Sequence, residues 1–218
     1  MRLSILTHLP HPTASLAPLA RGLASGGVLP DEWVVAVPPG AALPAAPFPV
    51  RDVEVPEGSR PGVALNAAAR AARGDVYIVL SAGCVPSCTL VSCYRLALEV
   101  RDGVALGELL HLPPGLLGGP WCEAELWHTG RRDPERPAPP RFGLLPTDRY
   151  DLFASRSFAV RRHRFFGLGG FDEAAADAAM LDAAFARAAR RRGCPLLLVS
   201  GAEVFYEPSY PHRAAEAA

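Results

Sequence analysis

The sequence predicts an α/β fold, with a mostly parallel central sheet flanked by helices. Strand-like and helix-like stretches alternate through about the first 100 residues, which argues for a parallel sheet covered on both faces. The strand-like runs Trp33-Val34-Val35-Ala36-Val37 and Val76-Tyr77-Ile78-Val79-Leu80 are apolar throughout, as strands buried on both faces are. Half of the 218 residues are hydrophobic, enough to fill a substantial core.

The elements follow in order. A first strand over 3–6 ends in Thr7-His8-Leu9-Pro10-His11-Pro12, where the prolines stop regular structure. Pro12 suits the start of a helix with Leu16, Leu19 and Leu23 on its apolar side, ended by Gly26-Gly27. Strands over 33–37 and 50–55 follow, then an alanine-rich helix over 62–73 capped by Gly74. The strand over 76–80 stops at Ser81-Ala82-Gly83-Cys84, and a helix over 87–100 places Leu90, Val91, Tyr94 and Leu98 on one side. Beyond it the pattern loosens. Residues 104–110 and 153–160 read as strands, 115–140 as a surface loop, and 167–173 as a turn. A helix over 178–192 precedes closing strands at 196–199 and 204–206.

The length fits one domain, 1–218, with halves at about 1–100 and 101–211 and a frayed tail over 212–218. Net charge is zero, from 22 basic and 22 acidic residues, so nothing electrostatic argues for a nucleic-acid partner. Every basic residue other than histidine is arginine, which removes lysine as a Schiff-base nucleophile or phosphate ligand. No segment has the roughly 18 apolar residues of a membrane span, and no signal-type core is present, so cytoplasmic residence is expected. The five cysteines, with Cys84, Cys88 and Cys93 four and five apart, suit packing better than a zinc site.

On sheets of this class, ligands bind outside the carboxyl ends of the strands. The loops after residues 6, 37 and 80 are therefore the expected walls of a site.

Three segments together resemble family 2 glycosyltransferases. The first runs from Gly62 through Leu65-Asn66 and Arg73-Gly74-Asp75 to Leu80. The second is Cys84-Val85-Pro86-Ser87, similar to the stretch after that family's metal-binding Asp-x-Asp. The third, and most specific, is Phe158-Ala159-Val160-Arg161-Arg162 through Gly169-Gly170-Phe171-Asp172-Glu173 to an amphipathic helix. The resemblance implies a GT-A fold: a Rossmann-like half for a nucleotide-sugar, UDP- or GDP-linked, and a half for an acceptor. It implies donor contacts from Thr7, His8, Asn66, Ser81, Ala82 and Gly83, and acceptor- or phosphate-side contacts from Arg161, Arg162 and Gly170. Asp182 matches the aspartate that serves inverting members as general base, although a helix-start aspartate is also favoured by the dipole. His8 and His11 stand where the nucleotide rests, to stack, to touch phosphate or simply to face solvent.

The resemblance breaks at the chemistry. Where Asp-x-Asp would hold manganese or magnesium, the chain reads Ser81-Ala82-Gly83, so no metal cofactor is expected. The Arg-Asn pair is Leu65-Asn66, the acid after the second strand is replaced near Pro38-Pro39, and the Glu-Asp pair is Leu181-Asp182. The closing His-x-x-His falls on Glu207-Pro208-Ser209-Tyr210. Two functions remain open: sugar transfer by a metal-independent or impaired enzyme, or an inactive domain binding a ligand or protein partner. Another acid pair, Asp148 and Asp151, is the alternative seat for a metal.

Overall fold

The structure is a computed structural model describing residues 1–11, 14–134 and 136–207. Pro12, Glu135, the Pro208-Ser209-Tyr210 part of the expected signature and the expected tail lie outside the described residues.

In chain order the elements are β1 (Leu3–His8), α1 (Ala17–Ala24), β2 (Glu32–Val37), β3 (Val50–Glu54), α2 (Pro61–Ala71), β4 (Val76–Leu80) and β5 (Cys84–Pro86). Then come α3 (Leu90–Val100), β6 (Val104–Leu106), β7 (Leu109–His111), α4 (Glu123–Thr129), β8 (Arg131–Arg132) and β9 (Leu144–Thr147). The chain closes with β10 (Ser157–Arg161), α5 (Arg162–Leu168), α6 (Ala178–Arg191), β11 (Leu196–Val199) and β12 (Val204–Tyr206).

The main sheet has the order β3-β2-β1-β4-β10-β6-β11-β9. Its first four strands are parallel. Then β10 runs antiparallel to both β4 and β6, β11 pairs parallel with β6, and β9 closes the edge antiparallel. The sheet is therefore mixed, which corrects the mostly parallel expectation. Parallel pairing needs a crossover, which α1 and α2 supply in the first half. The stretch leading to β10 lets that strand enter from the opposite end.

Side chains alternate across the parallel strands. Ile5, Trp33, Val35, Ile78 and Leu80 belong to the cluster that includes residues of α1 and α3. Leu6, Val34, Ala36, Tyr77 and Val79 belong to the other, with residues of α2, α5 and α6. A core on each face is what continuous apolar strands require.

At the amino ends of these strands Glu32 is a polar clamp. Its carboxylate accepts from Ser4 Oγ at 2.6 Å, Arg73 N at 2.6 Å and Arg51 at 2.7 Å. Burial pushes its pKa up, but those three donors together hold it below the usual carboxylate value.

The single strand expected over 104–110 is two. It breaks at Gly107, where an added Cβ would lie 1.7 Å from Ala202 O and 2.8 Å from the Tyr94 hydroxyl. The two halves enter different sheets, because β7 joins a second sheet of order β5-β12-β7-β8. Gly74 is not a helix cap. The helix ends earlier, Ala72 is extended, and Gly74 N donates to Ser4 Oγ at 2.9 Å. The expected loop over 115–140 contains α4 and β8, and α5 occupies the start of the expected turn over 167–173.

Candidate functional site

The carboxyl ends of β1 and β4 open onto a hollow of about 300 Å³ lined by His8, Pro61, Leu65, Ser81, Gly83 and Arg156, among others. A second, also about 300 Å³, adjoins it and is lined by His111, Arg136, Arg156, Asp182 and Tyr206, among others. Ser81, Ser155, Arg156 and Ala178 border both, so the two form one cleft. The floor between them is the turn after β4, where Ser81 N donates to Arg156 O at 3.0 Å and Cys84 N to Ser81 O at 3.1 Å.

Asp182 stands in the first turns of α6. Its Oδ1 accepts from Ser155 N at 2.8 Å, and the Ser155 side chain stabilises the same carboxylate. Burial raises its pKa above the ordinary aspartate value, against the Ser155 hydrogen bond and the charges of Arg156 and Arg136. A carboxylate anchored by Ser155 at the edge of a cleft, with its proton affinity raised, is suited to accepting a proton. On the other side, burial lowers the pKa of His8, which favours the neutral imidazole.

The structure gathers some of the expected donor residues and separates others. His8, Ser81, Ala82 and Gly83 line the cleft. Thr7 does not reach it: the residue is fully buried, and its Oγ1 accepts from Trp33 Nε1 at 2.9 Å. Asn66 points away as well. Its Nδ2 donates to Phe171 O and Glu173 Oε1, each at 2.9 Å, and its Oδ1 accepts from Phe171 N at 2.9 Å. It is a bracket tying α2 to the turn before α6. Gly170 is packed against that bracket: its φ is +70°, and a Cβ there would sit 2.9 Å from Asn66 Oδ1.

Arg161 and Arg162 are also displaced. Because β10 is antiparallel to β4, Ser157 pairs with Leu80 beside the cleft and Arg161 pairs with Val76 at the far end. Five residues of strand place Arg161 about 17 Å from Arg156 along the sheet. There Arg161 donates to Leu98 O at 2.6 Å, Arg164 pairs with Asp102, and Arg162 N donates to Asp75 O at 2.8 Å. Asp151 is engaged by Arg149 at 2.6 Å, and no group of three or more His, Cys, Asp or Glu among the described residues could hold a metal ion.

Sequence reasoning missed Arg156, Ser155 and the apolar wall of Pro61 and Leu65. The signal for Arg156 was its position just before a strand. It becomes informative only once that strand is known to run antiparallel to β4.

This architecture is a GT-A-like α/β fold, as solved structures of GT-A glycosyltransferases show. TarS 1-349 of S. aureus matches with a TM-score of 0.66 at 12% identity, covering 95% of this chain and 60% of that one. The same protein in complex with UDP-GlcNAc matches at 0.62 and 11%, covering 100% and 62%. GalNAc-T7 with UDP, GalNAc and Mn2+ matches at 0.64 and 15%, covering 95% and 44%. The chain thus spans less than two thirds of the length of these proteins. No family model matches the sequence, and no curated protein does. Among the described residues no helix is long and apolar enough to cross a membrane.

Proposed function

We propose that the chain is a glycosyltransferase that moves a sugar from a nucleotide-sugar to a hydroxyl acceptor. One observation carries this reading. The turn after β4 and the carboxylate of Asp182 face a single cleft at the carboxyl ends of the parallel strands, in a GT-A-like fold. Neighbours of that fold bind UDP and UDP-GlcNAc, which supports a UDP-linked donor here.

The nucleotide lies in the hollow bordered by His8 and the Ser81–Gly83 turn, against Pro61 and Leu65. His8, kept neutral by burial, offers a ring face and one N–H to base or phosphate. The acceptor hydroxyl enters from the Asp182 side. Its oxygen attacks the anomeric carbon while the Asp182 carboxylate takes the proton. The bond from that carbon to the phosphate oxygen breaks, and the electron pair leaves with the nucleoside diphosphate. The Ser155 hydrogen bond fixes the carboxylate for this attack.

The residues do not fit a divalent cation at the turn. A hard ion wants several oxygen ligands, preferably anionic, and Ser81, Ala82 and Gly83 offer one hydroxyl and backbone. We therefore assign no metal to this reaction.

Thermal melting against nucleotides and nucleotide-sugars, each in EDTA and in manganese, tests the reading. Binding to the native state stabilises it by about 2.7 kcal/mol at a hundredfold excess over Kd. The expected result is a rise in Tm with one uridine or guanosine nucleotide-sugar, equal in both buffers. No shift with any donor at millimolar concentration would sink the proposal, and a shift only in manganese would overturn the metal-free part.

A further inference from the structure

We infer that Arg156 is the diphosphate-binding residue of the cleft and supplies the positive charge that a metal ion supplies elsewhere in this fold. The inference rests on the transferase reading and adds to it the group that holds the leaving diphosphate.

Four observations converge on Arg156. The residue borders both hollows, between the donor and acceptor sides. The turn that would have to carry metal-binding carboxylates holds the segment at Arg156 directly, through Ser81 N and Arg156 O at 3.0 Å. No carboxylate among the described residues lies within ion-pairing distance of Arg156, whereas Arg51, Arg149 and Arg164 all have one. Its side chain is nevertheless fixed: the guanidinium lies over the Tyr206 ring at 4.1 Å, and Tyr206 is held by His111 Nε2 at 2.8 Å.

The surroundings favour an anion beside it. Ala178, the first residue of the 14-residue α6, borders both hollows, and that helix end is capped by Asp177, whose Oδ1 accepts from Met180 N at 2.8 Å. Three carboxylates also border the cleft, of which Asp133 is engaged by an interaction of its own. Of the other two, Asp182 is bound to Ser155 N and Glu207 accepts from Leu117 N at 2.6 Å, so each is already directed to a backbone donor. A guanidinium offers a planar fork of donors that matches two phosphate oxygens. Its charge would balance what accumulates on the diphosphate as the bond to the sugar breaks.

Calorimetric titration in EDTA of UDP, UMP and uridine tests this on the wild type, Arg156→Gln and Arg156→Lys. The wild type should bind UDP without metal. Arg156→Gln should weaken UDP at least tenfold while leaving uridine unchanged. Should Arg156→Gln fail to fold, Arg156→Lys decides, with a several-fold loss for UDP alone because the fork is gone. Undiminished UDP affinity in the folded variants, or a wild type that binds UDP only with manganese, overturns the role of Arg156 and leaves the transferase reading standing. A wild type that binds none of the three in either buffer overturns both.

Discussion

The Asp182 carboxylate is buried against its own charge and kept there by the backbone N–H and side chain of Ser155. A raised native pKa means that the folded state binds this proton more tightly than the unfolded chain. Stability from this group is therefore present below the unfolded aspartate pKa and lost as pH rises through the folded value. Asp182→Asn keeps an acceptor for Ser155 N and removes the buried charge. Its Tm should accordingly equal or exceed that of the wild type at pH 7, while sugar transfer falls by about 10²-fold or more. Calorimetry at pH 7 beside a transfer assay checks this. A variant with intact transfer would remove Asp182 from the chemistry. Asp182 was singled out in the sequence because Gly169-Gly170-Phe171-Asp172-Glu173 leads directly to its helix. Arg156 was not legible, because nothing local to residues 153–160 states which end of the strand faces the cleft.

Among the elements, the bracket between α2 and the turn before α6 sets where Asp182 stands. Asn66 satisfies both the N–H and the C=O of Phe171, a residue 3% exposed whose backbone has little access to water. Removing that side chain leaves both groups unpaired at a cost of about 3 kcal/mol. Asn66→Ala should lower stability by that amount in urea denaturation and leave the UDP affinity of the folded protein unchanged. Near-normal stability with UDP binding lost would restore Asn66 as a donor contact. The sequence marked both partners, Asn66 and Gly170, as belonging to a site. Their joint presence reflects a hydrogen-bond geometry that spacing along the chain does not reveal, since they lie more than 100 residues apart in sequence. Elements with strong periodicity, such as β2, β4 and α6, were readable within a residue or two. The short strands β5, β8 and β9 were not, because two to four residues carry no measurable period.

For the whole molecule, the parallel half of the sheet follows from continuous apolar strands joined by helices. The mixed half depends on the direction in which β10 enters, which is a tertiary property. That one reversal carries Arg156 to the cleft and Arg161 and Arg162 to the opposite end. The central claim is therefore positional: a nucleotide binds at the carboxyl ends of β1 and β4. The most direct test is a UDP titration of the isotope-labelled protein in EDTA, followed by backbone amide NMR. The account predicts shifts grouped at His8, residues 81–84, 155–156 and 178–182, with little change at 161–164. Shifts centred on residues 161–164, or none at millimolar UDP, would contradict it.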